Sequence, residues 1–286
     1  MDFLRRHNFT DYALISHAKN VGTVQNLLDA AKNTRNNYVK CIGQGDMLSD
    51  EFVLRDLYND FITTDAEVMG ADYVSFKNFA VPLELIEDYR IPQDMNCYRN
   101  GSLKEKRYNL LIKHDYIHGP TLIYKRESLI YYLELLAAAK IKYTEDIIPW
   151  IMVADKVKIS YLNRITVYYE LGIGFSSSRS SVMRHNHEDT IRLIIKRIQD
   201  KDPDFARELA DEQKKRIDMR KQYSRKKAHN NKIKKRLGIF ARPVIMAVHF
   251  IRYIRSLIIK PEEKPYIFST RTDVNTDFAN LCITRE

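Results

Sequence analysis

Helix-like and strand-like hydrophobic patterns alternate along the first 180 residues of this chain. Short apolar runs at Tyr38–Ile42 and Ala71–Phe76 are typical of strands, and segments with apolar residues every three or four positions separate them. This alternation predicts an α/β domain over residues 1–180, in which helices flank a sheet. Past that point the pattern is helical and polar, so we predict a helical extension over residues 181–260 and an irregular tail over residues 261–286.

Local signals predict where individual elements begin. Ser49 is expected to cap the helix that follows it, and Thr144 is expected to cap a helix over residues 145–155. In both cases a short hydroxyl side chain can satisfy the first free amides of a helix. Residues 158–162 and 165–169 are predicted to be two strands separated by a short turn.

Positive charge is concentrated in one stretch near the C-terminus. The whole chain has 47 Lys and Arg residues against 37 Asp and Glu, a formal net charge of +10. Between Lys214 and Arg236 twelve basic residues stand against one acidic residue, so the rest of the chain is close to neutral. A neutral body with a strongly basic arm is expected to meet an anionic surface through that arm.

The segment after the basic arm has the pattern of a cationic amphipathic helix flanked by Arg252 and Arg255. Its apolar face is formed by Phe240, Val244, Val248, Ile251, Ile254 and Ile258. Residues 214–260 therefore predict association with an anionic membrane surface, because apolar burial and attraction to anionic lipids add together. A helix that packs on the body is the alternative. Nucleic-acid binding is disfavoured, since the arm offers one aromatic residue, Tyr223, for base stacking.

Cysteine usage and hydropathy indicate the compartment. Cys41, Cys97 and Cys282 are odd in number and lack CxxC spacing, which excludes a disulfide scaffold and a zinc module and suits a reducing cytosol. The start has no apolar core of signal-peptide length, and no run of about 18 uncharged apolar residues occurs. We therefore expect a cytoplasmic protein, held peripherally at the inner face of the plasma membrane by residues 214–260.

Two acidic motifs are candidates for chemistry. Gly43–Asp46 ends a predicted strand, where glycines allow a phosphate to approach closely and Asp46 can hold a divalent ion; a plain tight turn is the alternative. Glu145 and Asp146 follow Thr144 at a predicted helix start. Either carboxylate can act as a general base if it is partly desolvated, and simple helix capping is the alternative.

Two further motifs carry weaker signals. The loop Gly172–Ser178 is rich in glycine and serine, so its amides and hydroxyls can hold phosphate or sugar oxygens, unless it is only a linker. His114 and His118, like His185 and His187, lack a recognised metal-binding spacing. We interpret both pairs as surface or internally satisfied histidines.

These motifs follow one another in a recognisable order: Asn20–Asn26, Tyr38–Leu48, His118–Leu129, Thr144–Trp150 and Tyr168–Ser178. In this order they resemble the later part of a bacterial family 2 glycosyltransferase, of the kind that makes capsule and cell-surface polysaccharide. The resemblance covers about residues 10 to 180. It implies a GT-A-like fold, an incomplete Rossmann-like mixed sheet with flanking helices, ahead of the helical basic C-terminal extension.

The resemblance implies a donor site. In the family a strand-end acidic motif binds Mg²⁺ or Mn²⁺ and the diphosphate of a nucleotide-sugar, a role that corresponds here to Gly45 and Asp46. The usual Asp-x-Asp is reduced to one acid, and a histidine that often serves there as a metal ligand is absent. The loop containing Gly172, Gly174 and Ser176 is implied to close over the donor phosphates.

The resemblance also implies an acceptor site for a hexosyltransferase. Asp146 is the implied base that deprotonates an acceptor hydroxyl, with Glu145 beside it. The implied acceptor pocket involves Gly119, Pro120, Thr121 and Trp150. A lipid-linked saccharide acceptor is expected, because it would explain a protein that stays at the membrane surface through residues 214–260.

The start of the chain departs from the family. Family members open with a strand, a helix and a DDGS-type motif that hold the nucleoside, and nothing before Asn20 matches them. We therefore expect a chain that lacks the N-terminal nucleoside-binding portion. The alternative function is a non-catalytic, truncated glycosyltransferase-like remnant or partner subunit with a membrane-binding arm.

Overall fold

The computed structural model divides the chain into two compact units, Met1–Ala210 and Asp211–Glu286. The residues that it describes are residue 6 and residues 11–77, 84–86, 91–171 and 181–227. Each unit is considered separately below.

Helices of the first unit are mostly short. The α-helices are α1 (Thr23–Asn33), α2 (Val53–Ile62), α3 (Met95–Asn100), α4 (Leu103–Tyr108), α5 (Arg126–Ala138), α6 (Ile148–Ala154) and α7 (Ser181–Ile198). A π-helix at Asn109–Lys113 continues α4, and two 3₁₀ turns lie at Gly119–Thr121 and Glu145–Ile147. A further helix, α8, covers residues 203–227.

Six strands form one mixed sheet. They are β1 (Tyr38–Lys40), β2 (Met47–Leu48), β3 (Val68–Lys77), β4 (Glu84–Ile86), β5 (Ile123–Lys125) and β6 (Ile159–Glu170). Their order is β1-β5-β3-β6-β2, with β4 pairing off this path to β3. The pair β3–β6 is parallel and the other pairs are antiparallel. This mixed sheet with flanking helices confirms the predicted α/β class.

The long strand β6 replaces the two strands predicted at 158–162 and 165–169. It runs without a turn from Ile159 to Glu170, and its register against β3 shifts on either side of Asp72. A β-bulge absorbs extra residues without ending a strand, so the polar residues at 163–164 mark an irregularity and not a hairpin. As a result β6 reaches far enough to place Glu170 beside β2, whose Met47 pairs with Tyr168.

Two apolar clusters cover the two faces of the sheet. Adjacent strand residues point to opposite faces, and accordingly Val68 lies in the larger cluster while Met69 lies in the smaller one. Helix α2 covers the smaller cluster with Val53, Leu57 and Phe61. The larger cluster includes the buried faces of α1, α5, α6 and α7.

Helix α7 belongs to the first compact unit, although the sequence pattern predicts a boundary at residue 180. Its Ile191, Ile194 and Ile198 are buried in the larger cluster. The compact units divide instead after Ala210. The sequence of α7 is mostly polar, and only one stripe of the helix is apolar. Its packing in the core was therefore not predicted from the sequence.

Neither predicted N-cap caps a helix. The Ser49 hydroxyl donates to the carbonyl of Ile165 at 2.8 Å, and α2 begins later, after Phe52. Thr144 has a left-handed backbone (φ 87°) before a 3₁₀ turn, and its hydroxyl meets that of Thr190 at 3.0 Å. In both cases a tertiary partner competes successfully with the local capping bond.

In the second unit the described residues, 211–227, are helical. Arg216 and Glu212 form an ion pair one turn apart at 3.0 Å, and residues 221–227 are exposed. None of the described helices is both long and apolar enough to span a bilayer. Most of the predicted membrane segment and all of the predicted irregular tail lie outside the described residues.

Candidate functional site

Lys40, the last residue of β1, connects three segments of the first unit. Its Nζ donates to the carbonyl oxygen of Cys41 at 3.0 Å and to that of Pro120 in the turn Gly119–Thr121. Burial lowers the pKa of Lys40 to about 8, and the nearby charge of Asp46 partly opposes that shift. Sequence analysis did not single out Lys40; a lysine at the end of an apolar strand was the available signal.

The segment Gly43–Asp46 is a tight turn that Asp46 itself closes. The amide of Gly43 donates to Oδ2 of Asp46 at 3.2 Å, and the amide of Asp46 donates to the Gly43 carbonyl at 3.3 Å. Gly45 has a φ of 92°, a region that favours glycine. The structure therefore contains the tight turn that was the alternative interpretation of this motif. A ligand-binding role for Gly45 and Asp46 stays a prediction.

Glu170, at the end of β6, lies directly over this turn. A Cβ at Gly45 would stand 2.6 Å from its Oε2, so only glycine leaves room for this carboxylate. Burial and the neighbouring Glu170 charge raise the pKa of Asp46, while the backbone amides of Glu170 and Gly43 and the charge of Lys40 oppose the rise. The two carboxylates are thus close enough to interact electrostatically, with Asp46 half-buried and Glu170 only 6% exposed.

Glu145 and Asp146 take different environments, as expected of consecutive residues. The Thr23 hydroxyl, at the start of α1, donates to Oε2 of Glu145, which ties this carboxylate to the helix. Asp146 packs against the turn instead, since a Cβ at Gly119 would stand 2.9 Å from the Asp146 Cβ. Burial, followed by the charge of Glu145, raises the pKa of Asp146 to about 7. A carboxylate with this pKa is suited to proton transfer near neutral pH.

His118 is a buried group that sequence analysis treated as a surface or satisfied histidine. Its ring lies 4.2 Å from the rings of both Tyr73 and Tyr169, measured between centroids. Burial, with a smaller contribution from Lys40, lowers the pKa of His118 to about 3, so the imidazole is neutral. Its Nδ1 has no hydrogen-bond partner among the described residues. The expectation of a satisfied or exposed ring is therefore wrong for His118.

The predicted acceptor residues fall into two places. Gly119 and Pro120 adjoin Asp146 and Lys40, whereas Thr121 is fully buried and its hydroxyl donates to the His118 carbonyl at 2.7 Å. Trp150 lies in the larger core on α6, where its ring contacts His114 and His187 at centroid distances of 4.8 and 5.5 Å. Among the described contacts, none joins Trp150 to Lys40 or to the acidic residues.

One region therefore collects five of the predicted site residues. Lys40 connects the Asp46 turn to Pro120, Gly119 packs against Asp146, and Glu145 is near enough to raise the pKa of Cys41, although burial is the main cause of that shift. Gly172, Gly174 and Ser176 lie outside the described residues. We call the set Lys40, Asp46, Gly119, Pro120, Glu145, Asp146 and Glu170 the β1 cluster.

The carboxylate oxygens of the β1 cluster are suitable ligands for a cation that also binds phosphate. In the described part of the chain no group of three or more His, Cys, Asp or Glu residues is arranged to hold a metal ion. Mg²⁺, however, is commonly held by one or two carboxylates together with substrate phosphates and water. Asp46, with Glu170 beside it, fits that pattern.

A separate cavity of about 1250 Å³ lies next to α3, α4 and the start of α8. It is lined by Arg107, whose guanidinium pairs with Asp202 at 2.5 Å and stacks on Phe205 at 3.9 Å. None of the predicted site residues lines it. The Nε and Nη2 atoms of Arg107 are buried and lack hydrogen-bond partners among the described residues.

Comparison with known proteins finds similarity of structure but not of sequence. No known protein family matches the sequence. No curated protein matches it either. Among solved structures the chain is similar to a crystal structure of S. aureus TarS 1–349, with 14% sequence identity and a TM-score of 0.44. The match covers 69% of this chain and 51% of that one, so the chain spans about half the length of the structure that it matches.

Proposed function

We propose that this protein transfers a sugar from a nucleotide-diphosphate donor to a hydroxyl group of a saccharide acceptor. The observation that carries the proposal is the contact network of Lys40, which brings the Asp46 turn next to the turn that packs on Asp146. Glycosyl transfer needs two such groups: one region that stabilises the departing diphosphate and one base for the attacking hydroxyl.

Asp146 is the proposed base. Its raised pKa keeps a substantial fraction of the carboxylate available at neutral pH while giving it more basicity than an exposed aspartate. Glu145 is proposed to position Asp146 and α1, because its carboxylate accepts the hydrogen bond of Thr23. The acceptor hydroxyl would approach beside Gly119 and Pro120, since Gly119 packs so closely on Asp146 that a Cβ there would stand 2.9 Å from the Asp146 Cβ.

Asp46 is the proposed holder of Mg²⁺ or Mn²⁺, which when bound would offset the negative charge of the leaving diphosphate. Lys40 adds a fixed positive charge next to Asp46. Gly45 allows the tight conformation of the same turn through its φ of 92°. The loop residues Gly172, Gly174 and Ser176 remain the proposed contacts to the donor phosphates.

We further propose that the protein is a hexosyltransferase of capsule or cell-surface polysaccharide synthesis, working on a lipid-linked acceptor. In this proposal residues 214–260 hold it to the anionic inner face of the plasma membrane from the cytoplasm. The exposed cationic side chains at the described end of α8 support this part, since basic residues near an anionic bilayer add to binding.

A non-catalytic role is the second candidate. One observation favours it: the acidic motif keeps one carboxylate, Asp46, which already accepts the Gly43 amide of its own turn. A partner subunit of this kind would retain the fold and the membrane arm without turnover.

Calorimetric titration with UDP-, GDP- and dTDP-sugars, in the presence of Mn²⁺, tests the proposal. Saturable binding of one nucleotide class, accompanied by slow release of the nucleoside diphosphate, supports a glycosyltransferase. Saturable binding without release in the presence of membrane-derived acceptors supports the non-catalytic candidate. Absence of binding to all three classes contradicts the proposed function.

A further inference from the structure

The cavity beside α3, α4 and the start of α8 is separate from the β1 cluster, since no residue of that cluster lines it. Its volume is about 1250 Å³. Pockets that bind small molecules commonly measure about 300–1,000 Å³, so this cavity has room for a molecule larger than a free phosphate ion. It is therefore a second candidate site, whose chemistry depends on its own lining.

Arg107, on α4, is a buried charged residue of this lining and is only 8% exposed. Its Nη1 pairs with Asp202 at 2.5 Å. Its Nε and Nη2 atoms are buried and have no hydrogen-bond partner among the described residues. A buried donor without an acceptor costs free energy, above all on a charged group, so a ligand that brings acceptors to these atoms would recover that cost.

The two unpaired atoms form one edge of the guanidinium group. The N–H bonds of Nε and Nη2 point in nearly the same direction, and this pair of donors matches two oxygens of one carboxylate or phosphate group. Asp202 bonds to Nη1 and so leaves this edge without an acceptor. The geometry of the unpaired donors therefore favours an oxyanion.

Phe205, at the start of α8, stacks on the same guanidinium group. The Arg107 Cζ lies 3.9 Å from the centre of the Phe205 ring, and Phe205 is itself partly exposed and lines the cavity. Because the unpaired atoms are buried, an oxyanion bonds to them only after a side chain of the lining turns aside. Such changes of rotamer are common on binding, and Phe205 is placed to make one.

The acids of the lining are already used by the protein. Asp94 accepts the amide of Cys97 at 3.0 Å, Glu105 accepts the amide of Ser102 at 2.7 Å, and Asp202 pairs with Arg107. A fourth acid, Glu208, is exposed on α8.

Four basic residues balance these acids in formal charge, and two of them, Lys104 and Lys156, are exposed. An exposed ammonium group has three donors that can turn toward a ligand. The unused hydrogen-bonding capacity of the lining therefore consists mainly of cationic donors. The ring of Tyr108, which is 40% exposed, offers an apolar surface to the body of the same ligand.

We propose that this cavity binds an anionic small molecule, larger than a free phosphate ion, whose phosphate or carboxylate group is held by Arg107 together with Lys104 and Lys156. The inference goes beyond the proposed function, because none of these residues takes part in the transfer of the sugar. Binding at this place needs neither a metal ion nor the acids of the β1 cluster.

Oxyanion binding can be measured without turnover. The full-length protein, freed of metal ions on a chelating resin, is titrated by calorimetry with inorganic pyrophosphate and separately with citrate, at constant ionic strength. Wild type is compared with Arg107→Lys and with the double variant Lys104→Gln/Lys156→Gln. Lys32→Gln is the matched control, because Lys32 is an exposed lysine on α1 that does not line the cavity. Circular dichroism establishes that each variant is folded.

We expect saturable binding of at least one probe to wild type and to Lys32→Gln. Arg107→Lys keeps the positive charge but loses the two-donor edge, so its affinity should fall about tenfold or more, the factor that one hydrogen bond to a charged group contributes. The double variant changes exposed side chains alone and should also bind more weakly. It carries the test if Arg107→Lys does not fold.

The two probes distinguish the sources of the oxyanion: binding of pyrophosphate alone indicates a phosphorylated ligand, and binding of citrate alone indicates a carboxylated one. Binding of both supports the shared chemistry. Asp46→Asn should bind the probe as wild type does, and binding that depends on Asp46 but not on Arg107 would place the oxyanion at the other site and overturn the inference. Absence of saturable binding of either probe, or wild-type affinity in folded Arg107→Lys or in the double variant, would overturn it as well.

Discussion

Lys40 donates a hydrogen bond from Nζ to the carbonyl oxygen of Pro120, which ties the end of β1 to the turn that packs against Asp146. The two residues are 80 positions apart in the chain. The same ammonium group lies near Asp46. The Lys40 side chain therefore lies between the two acids of the proposed mechanism, Asp46 and Asp146.

Replacing Lys40 by Met tests this role. The partly buried Pro120 carbonyl would lose its charged donor, and a hydrogen bond to a charged group contributes about 1.5–3 kcal/mol. We expect a loss of unfolding free energy in this range together with a marked fall in sugar transfer. Lys32→Met is the control, since Lys32 pairs with Glu134 at an exposed site and should cost less than about 1 kcal/mol. Denaturant unfolding measures the free energy of unfolding of both variants. Equal losses in the two variants would contradict a stabilising hydrogen bond between Lys40 and Pro120.

Asp146→Asn should abolish transfer while the protein stays folded, because the amide cannot accept the proton of the acceptor hydroxyl. Glu145→Gln is the matched comparison. Its side chain still accepts the Thr23 hydrogen bond through the amide oxygen, so we expect it to retain a substantial part of the activity. Initial rates of nucleoside diphosphate release compare the two variants with wild type. Full activity of Asp146→Asn would contradict a role for Asp146 as the base.

The rate of transfer should depend on pH through Asp146. The base must be ionised, and its pKa is raised to about 7. We therefore expect kcat/KM to fall about tenfold per pH unit below 7 and to level off above it. A profile that is flat between pH 5.5 and 8 would place the base elsewhere.

The same group should make folding less favourable as the pH rises. In the unfolded chain Asp146 releases its proton near its ordinary value of 3.8, whereas in the folded chain it holds the proton up to about 7. The folded state therefore binds more protons between these values, and its stability falls with rising pH across that window. Unfolding of Asp146→Asn, measured at pH 5 and pH 8, should lack this contribution.

Gly45→Ala should destabilise the Asp46 turn. Alanine at a φ of 92° is strained by about 1–2 kcal/mol, and its Cβ would also displace the Glu170 carboxylate. Gly43→Ala is a milder control, because its Cβ would meet only the carboxylate group of Asp46. Thermal unfolding of the two variants should show the larger loss for Gly45→Ala, and the reverse order would contradict the described turn.

Changing the exposed cations Arg225, Lys226 and Lys227 to Gln should weaken binding to anionic liposomes. Each basic residue near such a surface contributes about 1 kcal/mol, so the triple variant should bind about 100-fold more weakly. Co-sedimentation with phosphatidylserine vesicles measures the effect, and neutral phosphatidylcholine vesicles are the control. Unchanged binding would contradict a membrane role for this end of α8.

Sequence patterns predicted the α/β class because alternating periods of two and 3.6 residues need no tertiary information. They failed at β6, since a polar pair inside a strand looks the same for a bulge and a turn. They also failed at Ser49, whose hydroxyl has a choice between a local amide and the distant carbonyl of Ile165. Only the three-dimensional neighbours decide such choices.

The candidate site divides in the same way. Asp46 and Asp146 could be predicted as site residues, because an acid beside glycines or at a helix start is a local feature of the sequence. The tertiary neighbours of Lys40, His118 and Glu170 could not be predicted, since the residues next to them in the chain do not indicate which strand they will face. Their burial and pairing arise from the order of strands in the sheet, and that order depends on contacts between residues far apart in sequence. The sequence alone thus determined the class of fold and the two acids, whereas the tertiary structure decided which charges share one site.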